Sequence, residues 1–393
     1  MLPSRSTLRA TLVALLLFKV VAPARAQATL QPYASIASDG ESYAGPRQTS
    51  ADDLKGSIIR IGLLAPLQGV RKNEGDAMVA AAQMALHDNA PHGAIRGRHI
   101  ALAVEDASAP SWGLVSNAVI RLALNDNAVA VITSTSGTDT HLVEQVGNRI
   151  GFPVLTLSSD ATTTQIDIPW IFRVGASDAA EAQVIARDIY GVRKLQKVLL
   201  ITQEDYEGKR GVETMRQAAL NLNSSAPNNT VLDATQSNPG SVLNTIETAS
   251  PQAIILWTNE TTAASLLHAV HTAGVETLCY LPENAHAEMN DASRTNPKAS
   301  EAWMVADDAK GSPLQQSFAI RFRQATGASP SPVAAKTYDA VAIVLQALTT
   351  VGTNRVRIRH RLAEVHGYEG ASGEMTFDRE GNDPISLHLV ELK

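Results

Sequence analysis

The sequence predicts an α/β protein built from two doubly wound parallel-sheet lobes, and three observations carry that expectation. Short apolar, β-branched runs alternate with helical stretches from Ile58 onward, which is the pattern of a parallel sheet with helices on both faces. The alternation starts afresh at Lys197. The chain after residue 26 lacks any run of about eighteen apolar residues that would span a bilayer.

The first 26 residues stand apart. Arg5 and Arg9 are followed by the apolar stretch Thr11 to Val21 and by Ala24-Arg25-Ala26, the layout of a cleaved secretory signal peptide. Its removal from the 393-residue chain leaves 367, enough for two domains that each bury a core. Residues 27–56, rich in Ser, Ala, Gly, Pro and Asp, are expected as a flexible leader. In the first lobe, strands are expected at Ile58–Leu64, His99–Val104, Val129–Thr133, Val154–Leu157 and Trp170–Val174. Helices alternate with them over Glu74–Asn89, Ser111–Asn125 and Thr140–Ile150. The second series places strands at Lys197–Thr202, Thr230–Thr235, Ala253–Trp257 and Thr277–Leu281. Its helices fall at Gly208–Asn223, Gly240–Ser250 and Thr261–Ala273. The tail adds a strand at Ala302–Ala306, helices over Leu314–Thr326 and Val333–Val351, and strands at Glu374–Phe377 and Ile385–Leu392. Arg355 to Arg361, alternating charged and apolar residues, is expected to present a solvated face.

Charge narrows the function classes. Four of the 33 Lys and Arg residues lie in the first 26, so 29 remain against 39 Asp and Glu, a net charge of −10. A chain this acidic is unsuited to nucleic acid, which requires cations to displace phosphate counterions. The single cysteine, Cys279, sits in the apolar run Thr277-Leu278-Cys279-Tyr280-Leu281 and is expected to be buried packing. No G-x-S-x-G, H-E-x-x-H, Walker or dinucleotide fingerprint occurs, and His268 with His271 is an incomplete zinc set. Neither catalysis, metal nor cofactor is expected.

In a doubly wound sheet, ligands bind beyond the carboxyl ends of the strands, so those loops hold the candidate residues. Ser136, Gly137 and Thr138 belong to the hydroxyl-rich Ser134–Thr140 loop at a helix start, where backbone N–H groups can hold an anion. Ser158, Ser159 and Asp160 open a second such loop, with Asp160 either a cap or a ligand contact. In the second lobe, Tyr206 follows Glu204-Asp205, Trp257 ends a strand, and Glu283 follows the turn residue Pro282.

Several segments share a known pattern in order and spacing. They include Ile59–Gly69, Glu105-Asp106, Pro153–Ser158, Phe172-Arg173-Val174, Glu204–Gly208, Tyr338-Asp339-Ala340 and Gly373-x-x-x-Phe377-Asp378-x-x-Gly381. Over roughly residues 57–390 the chain resembles the type I periplasmic binding proteins of the leucine/isoleucine/valine-binding class. That resemblance implies two lobes joined by a three-crossover hinge, closing over a small ligand for an ABC permease in the inner membrane. It would assign 57–175 and 306–352 to lobe one, and 176–305 and 353–393 to lobe two. It places Glu283 at the family's ammonium-binding acid, Tyr206 at its cleft tyrosine and Ser136 in its carboxylate loop. Gly137 replaces a serine, Asp160 falls near a threonine position, and Glu74 stands where a cleft aromatic is usual. A pocket containing Glu74, Asp160 and Glu283 would favour cationic or amide-rich ligands over plain α-amino acids.

The expected function is therefore a monomeric periplasmic solute-binding protein for an amino acid, amide or amine. The alternative is a periplasmic sensor or activator module that docks on a partner protein without transport. An enzyme on the same lobes would require a catalytic set that the sequence does not display.

Overall fold

The computed structural model describes residues 53–108, 112–164, 169–232, 239–285, 301–307 and 311–392. The expected signal peptide, and all but residues 53–56 of the expected leader, lie outside the described residues. The first sheet is built from β1 (Ile58–Ala65), β2 (Ala94–Ile95), β3 (Arg98–Asp106), β4 (Val131–Thr133), β5 (Val154–Thr156) and β6 (Ile171–Arg173). Its order is β2-β3-β1-β4-β5-β6, all parallel except the short β2–β3 pair. Helices α1 (Lys72–Asn89), α2 (Trp112–Ile120) and α3 (Gly137–Ile150) connect these strands. The order reverses at β1, which has β3 on one side and β4 on the other. The loops leaving β1 and β4 therefore diverge to opposite faces and open a crevice between them.

The chain then passes to a second sheet after α4 (Asp178–Ala186). This sheet holds β7 (Val198–Gln203), β8 (Asn228–Leu232), β9 (Ala253–Trp257), β10 (Leu278–Leu281), β11 (Ala302–Asp307) and β14 (Leu387–Glu391). The order β14-β11-β10-β9-β7-β8 reverses at β7, and only β14 runs antiparallel. Between its strands lie α5 (Tyr206–Asn221), α6 (Pro239–Ala249) and α7 (Glu260–Ala273). After β11 the chain returns to the first lobe for α8 (Pro313–Thr326), α9 (Pro332–Val351), α10 (Arg355–Ala363) and the small hairpin β12 (Tyr368–Glu369) and β13 (Glu374–Met375). It crosses once more to add β14. Three crossings thus join the two sheets.

Each lobe has its own core. In the first, Ile61, Leu63 and Met78 pack with Val341, Val344, Leu345 and Leu348 of α9. At about 1.5–3 kcal/mol for each fully buried aliphatic side chain, α9 is a major stabiliser of this lobe. Its residues are mostly apolar because it is buried almost all round, from Ala334 to Leu348. The second lobe has one core on each face of its sheet, with Cys279 fully buried in one of them. Burial pushes the Cys279 thiol up to about 12, so it is an inert packing residue.

Two expectations about the tail require correction. Residues 353–393 do not all accompany the second sheet, because Ile358, Leu362, Ala371, Met375 and Phe377 pack in the first core. A boundary drawn from the resemblance alone passes over a returning helix whose apolar face completes an earlier sheet. Nor is Arg355–Arg361 a solvated face. Arg359 is fully buried and donates to the Pro169 carbonyl at 2.7 Å. Arg355 donates to the carbonyls of Ala123 and Ala128 and stacks over Phe152 at 4.7 Å. Burial lowers the Arg355 guanidinium to about 10.

Candidate functional site

The two crevices face one another and enclose a cleft of about 1040 Å³. Its walls are the loops after β1, β4 and β5 from one lobe and those after β7, β9 and β10 from the other. Residues 326–333, between α8 and α9, contribute to the rim.

On the first wall, Arg71 and Glu74 form a two-point ion pair at 2.9 and 2.8 Å. Arg71 also donates to the hydroxyls of Ser134 and Thr135, and Thr135 returns its backbone N–H and its hydroxyl to Glu74. The start of α1 is thereby fixed to the loop after β4. Ser136 is the N-cap of α3 and accepts from the Asp139 N–H. In the next loop, Asp160 accepts from the backbone N–H and hydroxyl of Thr162, the local cap geometry of an acid two residues upstream.

The second wall depends on the close seating of α5. An added Cβ at Gly211 would lie 2.4 Å from the Trp257 ring, so the helix can lie this near β9 only because residue 211 is glycine. Asp205 caps α5 by accepting from the Gly208 N–H at 2.7 Å. That start places Tyr206, Glu207 and Arg210 within one turn and aims them across the cleft.

The lobes touch through these residues. The Tyr206 hydroxyl donates to Asp160 at 2.8 Å, and Arg210 reaches Asp160 at 3.1 Å and Asp178 at 3.1 Å. Glu207 accepts from the Gly137 N–H, in the first turn of α3, at 2.9 Å. A Cβ at Gly137 would come within 2.8 Å of the Tyr206 ring and 3.0 Å of the Asp160 carboxylate. The missing serine at 137 thus makes room for the opposing tyrosine. Asp160 is buried, which alone would raise its pKa, but hydrogen bonds from His141, Thr162 and Tyr206 outweigh burial and hold it far below the usual range. His141, between Asp160 at 3.0 Å and Glu144 at 2.7 Å, is raised to about 9 by its bonds to Asp160 and then Glu144. Asp160 is accordingly neutralised by His141 from its own lobe and Arg210 from the other.

Glu74, Ser136, Ser158, Ser159, Asp160, Tyr206 and Trp257 all line the cleft, whereas Gly137, Thr138 and Glu283 do not. Gly137 lies directly behind Tyr206, and Thr138 lies in the first turn of α3. Glu283 is buried near the hinge, where the Lys336 ammonium donates to it at 2.6 Å and its backbone N–H donates to Glu181. A lysine of α9 therefore holds the acid that the resemblance reserved for a ligand ammonium. Burial raises Glu181 to about 8, with the Glu283 charge adding to the effect. Lys336, which burial alone would lower, is held above its ordinary value by Glu283.

Sequence reasoning missed Arg71, Glu207, Arg210, His141 and Lys336. For Glu207 and Arg210 a signal existed. Both fall within one helical turn of Tyr206. Lys336 gave none, because its partner is 53 residues away. Among the described residues no group of three or more His, Cys, Asp or Glu could hold a metal ion, and no helix is long and apolar enough to cross a membrane.

Two α/β lobes joined by three crossings, with a cleft at both topological switch points, define a hinged ligand-binding protein. The sequence matches the family described as periplasmic binding protein over residues 58–387, and the chain belongs to that family. It is a binding protein and not an enzyme, and membership implies a periplasmic location. Among solved structures, it is similar to a leucine-binding protein LivK from Thermotoga maritima, with a TM-score of 0.72 and 16% identity over 84% of this chain and 94% of that one. It is also similar to the branched-chain amino acid transporter substrate-binding protein LivJ from Streptococcus pneumoniae in complex with isoleucine, with a TM-score of 0.71 and 18% identity over 85% and 99%. A third is an ABC-transporter solute-binding protein from R. palustris in complex with benzoate, with a TM-score of 0.75 and 16% identity over 86% and 93%. At these identities the likeness speaks for the fold. No curated protein sequence matches the chain.

Proposed function

We propose that this protein captures a small solute between its lobes and delivers it to an ABC-type permease in the inner membrane. The observation that carries the reading is the cleft itself: 1040 Å³, built at both switch points and walled by both lobes. A ligand held by both walls favours the closed form, which is the state a permease can recognise. Solutes of the amino acid, amide and amine classes match the hydroxyls and carboxylates on those walls. The proposed boundary of the moving bodies follows the three crossings, with 313–377 riding on the first lobe. The test is thermal stabilisation across a metabolite library. About 100-fold excess over the dissociation constant should add about 2.7 kcal/mol. Absence of any stabilisation across amines, amides, amino acids and carboxylates would refute solute capture.

One observation favours the alternative of a sensor or activator module. Tyr206, Glu207 and Arg210 join the lobes through direct bonds between the chain's own residues. A closed form stabilised by its own residues could present a docking face to a protein partner. Recovery of a permease subunit by crosslinking in cells would decide for transport.

A further inference from the structure

The cleft's charges are arranged against one class of ligand. At the start of α3, the Gly137 N–H faces the opposite lobe, where an anion would be held by the helix end. That place is filled by the chain's own Glu207 carboxylate. The two guanidinium groups that line the cleft are committed as well. Arg71 is bound to Glu74, and Arg210 to Asp160 and Asp178. Against these two cations the lining carries seven carboxylates. A cleft with low-dielectric walls and an excess of one sign concentrates ions of the other sign. The remaining lining sets hydroxyl and amide side chains beside an apolar part, with Trp257, Leu232, Val242 and Leu266 on one side and Phe322 and Val333 on the other.

We propose that the ligand is an organic cation, an amine with an apolar body and no carboxylate, and that Glu207 is the specificity-determining residue that pairs with it. Glu207 suits that role because it lines the cleft and accepts at one oxygen from the Gly137 N–H, while Arg71, the cation whose charge it feels, is already bound at two points to Glu74. An amine can therefore bind without displacing the cross-lobe bond. A ligand carboxylate must expel Glu207 from the α3 amide and then lie beside the acids. A zwitterionic amino acid meets the same obstacle, and its ammonium finds Glu283 already occupied by Lys336. The inference rests on the solute-capture reading and narrows it.

The test uses the purified protein with four matched sets sharing the same aliphatic or aromatic bodies: primary amines, the corresponding amides, carboxylates and α-amino acids. Thermal shift selects binders and calorimetry measures them. Amines are expected to bind best. Glu207→Gln, which keeps an oxygen to accept from Gly137, is expected to weaken them roughly 10- to 100-fold, the range for losing a charged hydrogen-bond partner. The same variant should leave any amide binding within about 3-fold, since no charge is lost there. Wild-type amine affinity should also fall as ionic strength rises, a readout that does not depend on the variant folding. Tighter binding of carboxylates, α-amino acids or amides than of amines overturns the proposal and leaves solute capture standing. So does amine affinity indifferent to both Glu207→Gln and salt. No binding by any class removes solute capture and the proposal together.

Discussion

Replacing Asp160 by Asn tests the junction between the lobes. The carboxylate is 4% exposed and receives bonds from Thr162 and Tyr206 and charge contacts from His141 and Arg210. Removing one charge of a buried pair costs about 3–5 kcal/mol when the partner is left uncompensated. Here both cations keep a second acid, Glu144 for His141 and Asp178 for Arg210, and both are partly exposed. We therefore expect Asp160→Asn to lose about 2–3 kcal/mol by urea denaturation, with Tm lower by about 5–10 °C. The distinguishing readout is His141. In the wild type it titrates near 9, chiefly because of Asp160, so in the variant its midpoint should move toward the ordinary 6.5. Imidazole proton shifts followed by NMR against pH measure this directly. A wild-type His141 midpoint near 6.5, or a midpoint that Asp160→Asn leaves in place, would refute the described cluster.

Three further outcomes are expected. A histidine whose pKa rises on folding contributes its stabilisation fully below pH 6.5 and loses it as pH rises through about 9. The stability difference between wild type and His141→Gln, about 2 kcal/mol at neutral pH once partial exposure is allowed for, should accordingly vanish in that window when measured by denaturation at a series of pH values. Gly137→Ser places a Cβ 2.8 Å from the Tyr206 ring and should force the lobes apart, seen as an increased radius of gyration in X-ray scattering with unchanged secondary structure by circular dichroism. Lys336→Met leaves Glu283 and Glu181 without their cation and should cost about 3–5 kcal/mol by denaturation. A loss under about 1 kcal/mol would mean that solvent reaches the pair.

Much of the fold was legible because the period of the apolar residues reports local structure. Runs such as Ile58–Leu64 and Ala253–Trp257 became β1 and β9 nearly to the residue. The switch-point rule then located the walls of the cleft without any contact information. Contacts between distant segments were not legible. Lys336 and Glu283 meet only because α9 returns to the first lobe. Arg355 and Arg359 look solvated in sequence, yet Arg355 is half-buried and Arg359 fully buried, since their targets are carbonyl groups that no sequence pattern displays. The sequence offers Asp160 both as cap and as contact, and in the structure it is a local cap that also faces the other lobe. Gly137, where the resemblance places a serine, leaves the space that Tyr206 occupies.

The late position of α9 bears on how the chain reaches its native state. The strands of the first sheet are complete by Arg173, but the helix that fills one of its faces begins only at Pro332. During synthesis that face stays bare until the 178 residues from Val174 to Val351 have emerged. Such long-range closure slows folding and exposes sticky intermediates. In a family of periplasmic proteins such a delay suits export, since threading through a narrow channel requires an unfolded polymer. A fragment ending before Pro313 should aggregate rather than fold, because half of its sheet would have no cover.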